Sequence, residues 1–144
     1  MELRAYTVVR KVDETPNSVS IFLKSQDGKP LETFHAGQHL SFDIGHAQKR
    51  DYILSAFSAK PGIYRITVSH GGEHHPSAGA KYWVKDVAEG DVVRAAGPHG
   101  DFHLPASLVR PFVVISRHIG EAAAAAIAEE LAVRSPRHPA VFLH

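Results

Sequence analysis

Eleven histidines stand in a chain of 144 residues that has no cysteine. Side-chain chemistry therefore falls to imidazoles, carboxylates, hydroxyls or a bound cofactor, and a disulfide framework, a thiolate zinc site, an iron–sulfur cluster and a cysteine nucleophile are all excluded. The densest imidazole group is His70-Gly71-Gly72-Glu73-His74-His75. Two histidines four apart beside a carboxylate could bind Zn²⁺ or Ni²⁺ on a helix, but the glycines favour a solvated polar loop. His35 and His39 flank Ala36-Gly37-Gln38 and read as strand-end residues, whereas His99 and His103 bracket Gly100-Asp101-Phe102 and read as parts of a turn. No G-x-S-x-G elbow supports a serine hydrolase.

Arg50-Asp51-Tyr52 is a second group with chemical meaning. A planar guanidinium binds phosphate through two charge-assisted hydrogen bonds, and a phenol offers both a π face and a donor. Taken alone, the pair reads better as a solvated loop charge beside a core aromatic.

The elements that must position these residues are short. From Leu3 to Ala96 apolar residues alternate with polar ones between Gly, Pro, Asn and Asp punctuation, the pattern of an antiparallel β barrel or sandwich. Strands are expected at residues 3–11, 18–24, 39–44, 51–55, 63–69 and 91–95. Val19, Ile21 and Leu23 share one face, as do Leu40, Phe42 and Ile44, and Tyr64, Ile66 and Val68. Residues 80–87 break the alternation and predict a short helix carrying Trp83 and Val87. After Pro105 an apolar strand at 112–116, an alanine-rich helix at 121–133 and a second strand at 140–143 form a βαβ unit with a parallel pair. Its one helix can cover only one sheet face. The open face and edges predict a homo-oligomer through residues 111–144, with Val114 and Phe142 as sensitive positions.

Sixteen Lys and Arg against fifteen Asp and Glu leave a formal charge of +1. That balance gives no field for nucleic acid or an anionic membrane. No run approaches a membrane span and Met1-Glu2-Leu3-Arg4 lacks a signal-peptide core, so a cytoplasmic protein is expected.

The order of motifs resembles the ferredoxin–NADP reductase superfamily, nearest to the reductase portion of flavohemoglobins. Ala36-Gly37-Gln38-His39, Arg50-Asp51-Tyr52-Ile53-Leu54-Ser55, Tyr64-Arg65-Ile66-Thr67-Val68, Glu89-Gly90-Asp91 and Gly97-Pro98-His99-Gly100-Asp101-Phe102 carry it, in family order. The resemblance implies a mainly β protein: a six-stranded antiparallel barrel with a short capping helix over residues 1–105, which binds FAD, or FMN in some members. A single C-terminal βαβ unit over 106–144 then stands as a truncated remnant of the nucleotide-binding α/β domain.

In the family's R-x-Y-S segment the Arg meets the cofactor phosphate, the Tyr lies against the flavin ring and the Ser bonds near N5. Arg50 and Tyr52 match, and Ile53 replaces the Ser. The family's G-x-x-S loop aligns with Ser77-Ala78-Gly79-Ala80-Lys81, where Ser77 takes the Gly place and Ala80 the Ser place. The resemblance assigns Gly79, Ala80 and Lys81 to the pyrophosphate through the backbone amides of Ala80 and Lys81, and His70 to the adenine half. The nicotinamide loop G-G-x-G-x-T-P keeps only Gly120, within Arg117-His118-Ile119-Gly120. NAD(P)H binding in the family manner is thus not expected of the isolated chain. The implied function is a flavin-dependent electron-transfer component or remnant, working with a redox partner protein. The alternatives are a non-enzymatic binding or assembly module on the same fold, and a histidine-based metal or heme binder.

Overall fold

The computed structural model describes residues 2–45, 47–70 and 77–144. Six strands form one antiparallel sheet: β1 (Arg4–Thr15), β2 (Ser18–Ser25), β3 (His39–Asp43), β4 (Lys49–Ile53), β5 (Tyr64–Ser69) and β6 (Val92–His99). Their order is β4-β3-β6-β1-β2-β5. The sheet curls until its edge strands touch, at a bridge between Leu54 and Ile66 and a Ser55 N–H bond of 2.7 Å to the Arg65 carbonyl. It is barrel-like without being hydrogen-bonded all the way round.

The alternation seen in the sequence fills the interior. Val19, Ile21, Leu23, Leu40, Phe42, Tyr64, Ile66 and Val68 all point in and are buried. Each such side chain contributes about 1.5–3 kcal/mol through the water it escapes. Helix α1 (Ala78–Lys81) continues into wider π-helical turns at Tyr82–Asp86, closed by a Val87 N–H bond to the Tyr82 carbonyl. That stretch drops Trp83, fully buried, against Phe42 with ring centroids 4.9 Å apart. The helix thus begins at Ala78, two residues before its expected start, because Ser77 caps it.

Several strand ends differ from expectation: β4 spans Lys49–Ile53 in place of 51–55, and two strands run well past their expected ends. β1 runs on to Thr15, paired through Asp13 with Val19 and through Thr15 with Ser18, because the Pro16-Asn17 turn is tight enough to continue the hairpin. β6 reaches His99 because β3 extends its ladder past Ala96 across a bulge.

The C-terminal unit is as expected: β7 (Phe112–Ile115) and β8 (Ala140–Leu143) pair in parallel around α2 (Gly120–Arg134). Ala126, Ile127 and Leu131 of α2 form a second apolar cluster with Ala36 and Leu104, flanked by Phe57, Phe112, Val114, Ala140 and Phe142. Val114 and Phe142 therefore face the helix. The open sheet face carries Val113, Ile115, Val141 and Leu143 instead, each more than half exposed. The alternation was legible, but which parity faces the helix was not.

At the junction Glu130, fully buried, accepts hydrogen bonds from His35 Nδ1 (2.9 Å), the Ala36 N–H (2.6 Å) and Arg134 Nη1 (2.9 Å). Burial pushes this carboxyl up, and the three hydrogen bonds outweigh it and hold its pKa below the ordinary value. Among the described residues no helix is long and apolar enough to cross a membrane.

Candidate functional site

Just past the end of β4, Leu54 bridges to Ile66 of β5 and Ser55 bonds to Arg65, and among the described residues no strand ladder joins β4 itself to β5. Carried further, that antiparallel register would set Tyr52 opposite Val68 and Arg50 opposite His70. The ladder stops instead, so the strands part where Arg50 and Tyr52 stand, and α1 follows β5 into the same region. Gly79 is the meeting point. A Cβ at this buried glycine would collide with the Tyr52 hydroxyl and would lie 3.5 Å from Arg50 Cγ. Any side chain at 79 would push the phenol off the helix.

Tyr52 lies edge-on to Phe42 (5.8 Å) and Trp83 (5.7 Å). Burial pushes its hydroxyl pKa up, so it stays a neutral donor. Arg50 is exposed, and its Nη1 donates to the Lys49 carbonyl at 2.9 Å. A guanidinium has five donors, which leaves the fork able to take an anion. Lys81 is exposed at the end of α1.

The two amides expected to hold phosphate already have partners. The Ala80 N–H donates to Ser77 Oγ at 3.1 Å, and the Lys81 N–H donates to the Ser77 carbonyl at 2.9 Å. The cause is Ser77, whose hydroxyl makes it the cap of its own helix. Arg50, Tyr52, Gly79, Ala80 and Lys81 are brought together through these contacts. His70 ends β5, half-buried, its N–H bonded to the Asn17 carbonyl at 2.9 Å. Ile53 alternates to the other face of β4 and is about one third exposed. His74 and His75 lie outside the described residues.

Sequence reasoning missed two partners. Trp83, the wall behind Tyr52, was read only as a helix position, and its Nε1 is buried with no hydrogen-bond partner among the described residues. The Glu130 junction was missed because only its i, i+4 spacing from Arg134 was visible. At the start of α2, the N–H groups of Gly120, Glu121 and Ala122 donate to the carbonyls of Arg117, His118 and Ile119 at 3.0–3.2 Å. His118 there holds a φ of 55°.

An antiparallel, barrel-like sheet with a short capping helix and an attached βαβ unit defines the architecture. No family model matches the sequence. The chain is 32% identical, over 99% of its length, to the flavohemoprotein of Halalkalibacterium halodurans, of which it covers 36%. Its fold superposes with a TM-score of 0.82 on the FAD/NAD-binding domain of a Vibrio cholerae nitric oxide dioxygenase, at 27% identity over 96% of this chain and 61% of that one. An Amycolatopsis cytochrome P450 reductase gives a TM-score of 0.80 at 27% identity, covering 97% of this chain and 42% of that one. The chain spans about a third of the length of the curated relatives it matches. It belongs to the ferredoxin–NADP reductase-like superfamily.

Proposed function

We propose that this chain binds FAD between β4 and α1 and serves as the flavin domain of an electron-transfer oxidoreductase. The observation that carries the proposal is the convergence of Arg50, Tyr52 and Gly79 where β4 parts from β5. The flavin, when bound, supplies one- and two-electron chemistry that no side chain of this protein offers. Arg50 binds a phosphate as a fork, Lys81 adds a second positive charge, and Tyr52 orients the ring. Gly79 keeps Tyr52 seated on α1. The phosphate competes with Ser77 Oγ for the Ala80 N–H. His70 takes the adenine half, which favours FAD over FMN. Ile53 offers no hydroxyl beside the reactive edge of the ring, so the chain's own residues support binding and electron transfer better than hydride transfer.

The division into a flavin barrel at 1–105 and a partial α/β unit at 106–144 belongs to the same reading, as do a redox partner protein and a cytoplasmic location. NAD(P)H is not the donor to the isolated chain, a reading supported by α2 first-turn amides that are bonded within their own turn. Self-association through the face bearing Val113, Ile115, Val141 and Leu143 completes the proposal.

Titration of the purified chain with FAD, followed by flavin fluorescence, tests the site. Arg50→Ala is expected to weaken binding ten- to a hundredfold, whereas Lys60→Ala leaves it unchanged. Equal affinities would reject the assignment.

A further inference from the structure

The face of β4 opposite the flavin cleft holds a second cluster. Strand alternation that sends Arg50 and Tyr52 to one side sends Asp51 to the other, where the register sets it beside Ser41 of β3. His39, two residues before Ser41, shares that face and pairs across the other edge of β3 with His99 of β6. The pairing depends on the bulge. His39 opposes His99 and Ser41 opposes Ala96, so β6 spends one extra residue there, and the bulge re-aims the His99 imidazole toward β3. Gly97 permits it, with φ 114° and no room for a Cβ, which would lie 2.8 Å from His99 Nδ1 and 2.9 Å from the His39 carbonyl. Gly100 is equally constrained: a Cβ would stand 2.9 Å from His39 Nδ1.

The three side chains each turn one donor atom inward, and those atoms lie within 4.8 Å of one another. His39 Nε2 is 3.8 Å from Asp51 Oδ2, too far for a hydrogen bond. Ligands about 2.1 Å from a tetrahedral ion stand about 3.4 Å apart, so a small closure of side chains brings this pair to bonding distance. Ser41 Oγ donates to Asp51 Oδ1 at 2.5 Å, which fixes the carboxylate and leaves Oδ2 for a cation. The same hydroxyl lies 3.0 Å from His99 Nε2. Because that hydroxyl spends its hydrogen on Asp51, His99 Nε2 donates to it; Nε2 becomes a ligand when an ion replaces that contact and the ring proton moves to Nδ1, which is buried with no partner among the described residues. Two imidazoles and one carboxylate are a borderline N/O set suited to first-row divalent ions, and the exposed Asp51 side leaves positions for water.

We propose that His39, Asp51 and His99 bind one divalent transition-metal ion of the Zn²⁺ type, with Ser41 positioning the carboxylate. The site ties three strands together at the open end of the bulge and is independent of the flavin reading. It also differs from the His70–His75 group that the sequence brings forward.

The test uses the full chain, stripped with chelator and titrated with Zn²⁺ by calorimetry and with Co²⁺ by visible absorption. One ion per chain, a tetrahedral or five-coordinate Co²⁺ spectrum and a metal-dependent rise in melting temperature are expected. Asp51→Asn, at an exposed position that the fold tolerates, and His99→Gln should each weaken binding about tenfold or more, and Ser41→Ala by about tenfold. The double variant His74→Ala/His75→Ala should bind as the parent does. The proposal is overturned if the parent takes up no ion at micromolar concentration, or if Asp51→Asn binds as tightly as the parent. Loss of binding in the double variant alone overturns it too, by placing the ion in the other histidine group.

Discussion

The barrel and the C-terminal βαβ unit solve the same problem to different degrees. The barrel encloses its apolar residues on all sides: Tyr6, Val8, Ile21, Leu40, Phe42, Ile66 and Trp83 are each at most 1% exposed. The βαβ unit has no such interior. α2 is rich in alanine, covers one face of two strands, and reaches the barrel through a thin apolar contact plus two carboxylates, the buried Glu130 and Glu129, which accepts from the Phe57 N–H at 2.7 Å. A sheet curled into a barrel-like shape covers its own inner face, whereas a parallel pair needs covering layers that one helix cannot provide. The barrel should accordingly behave as the stable body and the C-terminal unit as a docked appendage.

The largest test of that contrast is Phe42→Ala. It removes a core ring packed on Trp83 and Tyr52 and should cost about 3–5 kcal/mol, seen as cooperative loss of the barrel in denaturant melts. Glu130→Ala should cost about 3 kcal/mol of docking, near the low end for breaking a buried ionic group because Arg134 and His35 can reach water. Its signature is release of the 106–144 region to proteolysis while the barrel's near-ultraviolet signal remains. Were Glu130→Ala to unfold both together, the two regions would form one cooperative unit.

Acid should act through the same carboxylate. A carboxyl whose folded pKa is depressed gives stability that is present above its unfolded value and lost as pH falls through the folded value. Docking of α2 should therefore weaken as the pH falls below the ordinary glutamate range, and Glu130→Gln should flatten that dependence while lowering stability at neutral pH. On the flavin side, Arg50→Ala should cost about 1.5–3 kcal/mol of FAD binding. Ser77→Gly is the smallest expected effect. Losing the cap to glycine costs only a few tenths of a kcal/mol, about the scale of one weak contact, and frees the Ala80 N–H, so FAD affinity should rise slightly.

The barrel was legible because its code is local. Val19-x-Ile21-x-Leu23 and Tyr64-x-Ile66-x-Val68 state which face is buried, and the Gly and Pro punctuation states where strands stop. The pairing of Arg50 with Tyr52 came instead from the resemblance to a family segment, since the expected strand began only at Asp51. What the sequence hides depends on partners far along the chain or on a single residue of register. His35 and Glu130 are 95 positions apart and meet only when α2 docks. His39 and His99 were read as separate structural residues, and a one-residue bulge makes them neighbours of Asp51. The face of β7 and β8 left open was missed by one step of parity. Ser77 was read as a blurred glycine position, but it changes the chemistry of the turn by capping it.

Hydrogen exchange read by mass spectrometry, with and without saturating FAD, tests the account most directly because it reports both regions at once. Without ligand, amides of β1, β2, β3 and β6 should exchange slowest, and those of α2, β7 and β8 fastest among the structured segments. FAD should slow exchange in peptides covering Lys49–Ile53 and Ala78–Asp86 and leave Gly120–Arg134 unchanged. Protection confined to the α2 peptides, or none at β4 and α1, would contradict a flavin site built from Arg50, Tyr52 and Gly79.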